Sequence, residues 1–280
     1  MRPASPRLLL TLAALLLAPL LAPLPALAQA DRCPKLVATF PGFPSPERLA
    51  VPASLRLASV APNHVSLTYI GHSTFLIETA GGVTLATDYN DYVRPDIVPR
   101  VATMNRAHST HYSLAPDPGI AHVLKGWSDT VGEPVRYNLD VDDLWVGNLP
   151  TNIRDWEGGT IRNGNSIFIF RAADLCIAHL GHLHHTLTED DLAVLGRIDV
   201  VLAPVDGSYT IDVDGMIEVL KALESPLVIP MHYFNESTLN NFLRRLGDSK
   251  YEVKRQSGPT LVLSRETLPM KPTVLVIPGN

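Results

Sequence analysis

Basic residues are in deficit. The 280-residue chain has 23 Lys and Arg against 28 Asp and Glu, a formal net charge of −5. That balance carries no electrostatic footprint for nucleic acid or an anionic membrane surface, so no nucleic-acid partner is expected. Cysteine is nearly absent, with only Cys33 and Cys176. Cys176 lies in an apolar run, where a buried, inert thiol is the plain reading. A Cys33–Cys176 disulfide is the alternative, and it depends on a distance the sequence does not supply. No internal repeat is present, and past the N-terminal leader there is no low-complexity block and no linker that would divide a domain.

The leader itself is distinctive. Arg2 and Arg7 give a positive start, Leu8 to Leu21 is almost wholly apolar, and Ala28-Gln29-Ala30 is a small-x-small site. This is the anatomy of a secretory signal peptide over residues 1–30, cut after Ala30. The apolar core is short of the roughly 20 residues a span needs and contains Pro19, with Pro23 close behind, which argues against a stable membrane anchor. Arg2 and Arg7 are not adjacent, so there is no twin-arginine signal, and Arg32 before Cys33 does not suit lipid attachment. The expected destination is the periplasm or the exterior. Cleavage leaves 250 residues with 21 basic and 28 acidic side chains, a net charge of −7 and enough chain for one sizeable core.

Residues 31–62 are Pro-rich and weakly periodic, and read as an N-terminal arm laid on a domain at 63–280. The first half of that domain is strand-rich. Strands are expected at Val65–Ile70, Thr74–Glu78, Val83–Thr87 and Asp96–Met104, with short ones at 122–124, 135–138 and 144–146. Residues 151–160 read as a polar loop. Asn163-Gly164 is a hairpin signal ahead of strands at 166–171 and 175–180. The second half alternates: a Thr188-capped helix to about Leu195, a strand at 200–205, and a helix face at Met216, Ile217, Leu220 and Leu223. A strand at 227–230, a Ser237-capped helix to Leu246, and strands at 261–264 and 273–277 follow.

Histidine carries the chemistry. There are ten, and they recur where strands should end: His108 and His111, then His179, His182, His184 and His185, then His232, with His72 between the first two strands. Imidazoles gathered from neighbouring strand ends suit a transition metal. His64 and His122 read as surface or loop residues. His179 alternates away from its neighbours and fits a satisfied core position. His72 reads as a hydrogen-bonding neighbour of a site rather than a ligand. Asp206-Gly207-Ser208 reads as a turn near the same sheet edge, and Trp127, Trp145 and Trp156 as core or pocket wall.

Four segments, in order, resemble the metallo-β-lactamase-fold hydrolase superfamily, in particular the branch of ascorbate-6-phosphate lactonase and N-acylphosphatidylethanolamine phospholipase D. They are Thr68–Glu78, Ala86-Thr87-Asp88 with Arg94-Pro95, His179-Leu180-Gly181-His182, and Val228-Ile229-Pro230-Met231-His232. The resemblance covers about 65–246 and implies an αββα sandwich of two mixed β-sheets with outer helices. The superfamily's His-x-His-x-Asp-His motif falls on Arg106-Ala107-His108-Ser109-Thr110-His111, so Arg106 and Thr110 replace a His and the Asp. His182 stands at the usual bridging Asp, and no His lies near Asn152 to Asp155, where the superfamily has one.

The implied metal ligands are therefore His108, His111, His182 and His232, holding one or two divalent ions, zinc first, with iron or manganese as alternatives. Asp88 is implied as a catalytic or supporting carboxylate, Arg106 as a clamp on a substrate anion. With Thr110 unable to act as a base at neutral pH, Asp88, Asp155, His184 and His185 are the base candidates. Arg106 could equally be a surface residue bonded to Asp88 or Asp91. The implied activity is hydrolysis of an ester, lactone or phosphodiester of a small molecule by metal-activated water. Two alternatives are a catalytically inactive metal- or ligand-binding protein of the same fold, and a periplasmic metal buffer built on Gly181–His185.

Overall fold

Alternation of apolar side chains builds two sheets. The computed structural model describes Cys33 and residues 60–155, 157–247 and 249–279, all within the unit Asp31–Asn280. The predicted signal peptide with its cleavage site, the arm except Cys33 and 60–62, and Trp156 lie outside the described residues. In chain order come β1 (Val65–Gly71), β2 (Thr74–Thr79), β3 (Thr84–Ala86), β4 (Val101–Met104), β5 (His122–Lys125), β6 (Asn138–Val141), β7 (Leu144–Arg154), β8 (Thr160–Ala172) and β9 (Leu175–His179). Then α1 (Glu189–Leu195), β10 (Val200–Pro204), α2 (Val213–Leu223), β11 (Leu227–Met231), α3 (Glu236–Leu246), β12 (Glu252–Arg255), β13 (Thr260–Leu263) and β14 (Thr273–Val276) follow.

The six-stranded sheet runs β13-β1-β2-β3-β4-β5 and the eight-stranded sheet β12-β14-β11-β10-β9-β8-β7-β6. Both are mixed: β3, β4 and β5 are parallel, as are β9, β10 and β11. In β8, Phe168 and Phe170 point between the sheets while Ile167 and Ile169 point to the helices. Val200 and Leu202 of β10 share the inter-sheet core with Leu67 and Ile77, and Val201 and Ala203 meet Met216 and Leu220 of α2. The two mixed sheets with flanking helices match expectation. Among the described residues, all three α-helices contribute to the cluster on the eight-stranded sheet. The other sheet packs Ala102 and Met104 under Tyr112 and Trp127.

Several expected boundaries moved. The strand expected from Asp96 starts at Val101, because Pro99 cannot donate to a ladder. β7 runs 11 residues and β8 13, through the segments read as a loop and a hairpin turn. Asn163 sits inside β8 at φ 52°, its N–H donated to Asn152 Oδ1 at 3.1 Å, where the register shifts. It is a bulge, and the tight turn is Ala173-Asp174, with φ 50° and 58°. The strand expected at 135–138 lies at Asn138–Val141. Asn235, not Ser237, caps α3, its Oδ1 accepting from Thr238 N–H at 3.0 Å. Cys176 is no free thiol: it is bonded to Cys33, with Cα atoms 5.5 Å apart.

Candidate metal centre

The site forms where parallel strands end. Asp88 follows β3, His108 and His111 follow β4, His182 follows β9, Asp206 follows β10, and His232 follows β11. His72 occupies the β1–β2 turn. Ligands in open α/β sheets collect at this carboxyl edge. Three of these residues hold left-handed backbones, with φ 53° at His72, 42° at Asp88 and 55° at His232. Each such non-glycine position costs on the order of 1–3 kcal/mol and survives because its surroundings fix it. Here His232 N–H donates to His72 carbonyl at 2.6 Å, tying the two turns together.

Two buried carboxylates fix the orientation of two of these histidines. Asp88 and His111 are both fully buried, and His111 Nδ1–H donates to Asp88 Oδ2 at 2.5 Å. Asn105 Nδ2 donates to Asp88 Oδ1 at 3.0 Å while Asn105 Oδ1 accepts from Ser166 N–H at 2.8 Å. Buried His232 Nδ1–H donates to Asp206 Oδ1 at 3.0 Å. Asp206 also accepts three backbone N–H groups, from Ser208, Tyr209 and Thr210. Burial raises the Asp206 carboxyl, but the His232, Thr210 and Ser208 bonds outweigh it and hold the group below the usual range.

These bonds leave a lone pair on Nε2 of both His111 and His232, and the two Nε2 atoms face each other at 3.1 Å. Two acceptors that close repel unless a cation lies between them. Tetrahedral zinc, with Zn–N about 2.05 Å, spaces its nitrogens about 3.3 Å apart. His108 Nδ1 lies 2.8 Å from Thr110 Oγ1, and with Nδ1–H donating to that hydroxyl its Nε2 carries a lone pair. His72 Nε2 is buried without a hydrogen-bond partner among the described residues. One ligand atom each from His72, His108, His111 and His232 falls within 4.8 Å of the others. Burial, then the other imidazoles, keeps three of these rings neutral: His72 is held down at about 3, His111 well below its ordinary value, and His108 lowered. Neutral imidazoles are what a metal requires.

The expected ligand set thus shares His108, His111 and His232 with the observed group. His72, read as a neighbour, enters it. His182 stands beside it, its ring 4.9 Å from His111 and 5.0 Å from His108 and His232. Asp88 is sealed behind His111, away from any water it could deprotonate. Arg106 is bonded neither to Asp88 nor to Asp91. It lines a cavity of about 530 Å³ with His108, Ile153, Ile161, His182 and Tyr209, and has no hydrogen-bond or ion-pair partner among the described residues. The other base candidates are engaged. Asp155 accepts from Glu157 and Gly159 N–H, and both ring nitrogens of His184 and of His185 are bonded. His179 is the satisfied core residue expected, fully buried with Nε2–H on Ser73 carbonyl. Sequence reasoning missed the role of Asp206; its place at the end of an apolar strand, like Asp88, was the available signal.

A family model of the β-lactamase superfamily domain matches residues 66–232. The chain belongs to the metallo-β-lactamase superfamily. Among its relatives, a UPF0173 metal-dependent hydrolase of Salinibacter ruber is 27% identical over 220 residues, covering 68% of this chain and 96% of the relative. One from Opitutus terrae is 27% identical over 224 residues, covering 71% and 96%. A crystal structure from Thermotoga maritima, described as a candidate Zn-dependent hydrolase of this superfamily, aligns with TM-score 0.55 and 27% identity, covering 76% of this chain and 98% of that one. In this chain the superfamily's edge-of-sheet site has become a cluster of imidazoles backed by Asp88 and Asp206.

Proposed function

We propose that this chain is an exported metal-dependent hydrolase acting on a small ester or phosphoester that carries an anionic group. His108, His111 and His232 hold the metal with His72 beside them, and zinc is the ion that an all-imidazole set favours. A divalent ion there supplies Lewis acidity, which makes water nucleophilic near neutral pH. Asp88 and Asp206 orient His111 and His232 and fix their tautomers.

The observation that carries the reading is the 3.1 Å approach of two Nε2 lone pairs, each backed by a carboxylate. The guanidinium of Arg106 in the adjoining cavity, without a partner among the described residues, supports an anionic substrate, since an arginine fork matches carboxylate or phosphate. Both namesakes of the branch that the motifs resemble act on phosphate-bearing molecules, which agrees. Ile153, Ile161 and Tyr209 give the same cavity an apolar wall for the uncharged part of the substrate. Export is supported by the Cys33–Cys176 disulfide, which joins a residue just past the predicted cleavage site to the core strand β9.

The test is elemental analysis of the purified mature protein, then turnover on a panel of phosphomonoesters, phosphodiesters and carboxylic esters. One tightly held ion and turnover, both lost in a His111→Ala/His232→Ala variant, are expected. Arg106→Ala should raise KM for anionic substrates about 10- to 100-fold, the size of one charge-assisted contact, and spare neutral ones. A folded protein with no metal and no affinity for any would overturn the reading. A second reading, metal binding without turnover, is favoured by Thr110: it stands at the motif's Asp and its hydroxyl is spent on His108. Bound zinc with no turnover across the panel would select it.

A further inference from the structure

We propose, on the metal-centre reading above, that His182 is no ligand: it donates a hydrogen bond from Nε2–H to an oxygen of the anionic substrate, and Arg154 fixes it in that role through His184. The chain of bonds is directional. Arg154 Nε–H can only donate, and it donates to His184 Nδ1 at 2.8 Å. A neutral His184 whose Nδ1 accepts must carry its proton on Nε2. That N–H donates to His182 Nδ1 at 2.7 Å. A neutral His182 whose Nδ1 accepts must carry its own proton on Nε2.

The reverse order is blocked. For Nε2 of His182 to offer a lone pair, its Nδ1–H would have to donate to His184 Nε2. His184 would then carry Nδ1–H, head-on against the N–H of Arg154. Arg154 cannot swing away, because its Nη2 also donates to the carbonyls of Ser208 at 3.0 Å and Thr210 at 2.7 Å. Those residues belong to the loop whose N–H groups hold Asp206, so one loop sets both the His232 ligand and the His182 donor. His184 is neutral at physiological pH, with burial and then Arg154 holding it down at about 4.

The donor has somewhere to act. His182 is 4% exposed, and its Nε2 is a buried polar atom without a hydrogen-bond partner among the described residues. Its ring stands edge-on, at 86°, 86° and 83°, to those of His108, His111 and His232. It shares the cavity with the guanidinium of Arg106, which has no partner among the described residues. Two donors, one beside the metal group and one on the cavity wall, suit a tetrahedral or carboxylate anion. An orphaned donor on a residue that lines such a cavity becomes satisfied only when an acceptor arrives.

The decisive measurement is NMR of the mature protein labelled with ¹⁵N-histidine, with and without zinc. His182 should show the Nε2–H tautomer, untouched by zinc, while His108, His111 and His232 shift. Arg154→Met should leave His182 in mixed tautomers, an effect that a merely structural arginine would not produce. An unprotonated His182 Nε2 that shifts with zinc would overturn the proposal. Two binding measurements accompany it. Zinc affinity, by chelator competition, should stay within about threefold in His182→Ala but fall about 100-fold in His111→Ala. Inorganic phosphate affinity of the zinc-loaded protein should fall about 10- to 100-fold in His182→Ala and recover in His182→Gln, whose amide N–H replaces Nε2–H. Zinc lost from His182→Ala as fully as from His111→Ala, or unchanged phosphate binding, would refute the donor. Zinc retained in His111→Ala would instead defeat the metal-centre reading, with the tautomer of His182 still read by NMR.

Discussion

Replacing Asp206 by asparagine should weaken the metal while leaving the metal-free fold as stable as before. The carboxylate has two jobs: Oδ2 accepts three loop N–H groups, and Oδ1 accepts His232 Nδ1–H at 3.0 Å and Thr210 Oγ1–H at 2.5 Å. In Asp206→Asn the amide oxygen must stay with the loop, since three stranded donors would cost about 1–3 kcal/mol each. The NH₂ group then faces His232 Nδ1, which must become the acceptor. The proton of His232 moves to Nε2, the atom facing His111 Nε2 at 3.1 Å. Without metal, a lone-pair clash becomes an N–H···N hydrogen bond, worth about 1 kcal/mol. With metal, His232 must first give up that tautomer. Losing an orienting carboxylate typically costs about 10- to 100-fold in metal affinity, or roughly 1.4–2.8 kcal/mol. Zinc affinity by chelator competition and urea unfolding of the metal-free protein check the two halves. Zinc affinity unchanged in Asp206→Asn, or a metal-free variant destabilised by several kcal/mol, would refute the assigned tautomers.

Three more predictions follow from the same geometry. Gly181→Ala places a Cβ 2.4 Å from Asn105 Nδ2 and 2.5 Å from Asn165 Oδ1 at φ 59°; it should destabilise the protein by about 2 kcal/mol or more and weaken zinc through the Asn105–Asp88–His111 chain, read by urea titration and metal content. Cys33→Ser/Cys176→Ser removes a bridge across 143 residues of sequence and should cost about 2–5 kcal/mol in denaturant unfolding, with the metal site intact in the folded fraction. The metal-free protein should lose stability on acidification. His72 titrates at about 3 when folded and near 6.5 when unfolded, so the unfolded chain binds the extra proton between those values. Stability is fully present above pH 6.5 and declines as pH falls toward 3, by up to about 1.4 kcal/mol per unit for that group. Metal-free urea midpoints that are flat from pH 7 to pH 4.5 would contradict it.

Much of this was legible along the chain because it is local. The β-branched and aromatic strands β1 and β2, the buried apolar strand β10, the apolar face of α2, and the Thr188 cap were read from residue type, period and turn chemistry, and each is present. The misreadings came where tertiary pairing overrode a local signal. Asn163-Gly164 has the residues of a hairpin turn, yet the β7 partner runs past it and turns it into a bulge. Ser237 and Asn235 are both good caps, and Asn235, with its extended backbone at φ −164° and ψ 172°, takes the position. The ligand set shows the same division. His108 and His111 sit close together, and His232 ends an apolar run, so all three stood out. His72 entered the group only because the β1–β2 turn is tied to the β11 turn by a hydrogen bond between residues 160 positions apart.

By itself the sequence determined the strand ends that carry chemistry and the dominance of imidazole over carboxylate there, through side-chain periodicity and residue type, which act over a few neighbours. The layered architecture was implied by the resemblance of four ordered segments to the superfamily. Only the tertiary structure decided which nitrogens face one another, that Asp206 bonds His232 as well as closing a turn, and that Cys176 is bridged to Cys33. It also decided that Arg154 and His184 set the proton on His182. Hydrogen-bond direction depends on which donor meets which acceptor across space, and these partners come from strand ends far apart in the chain.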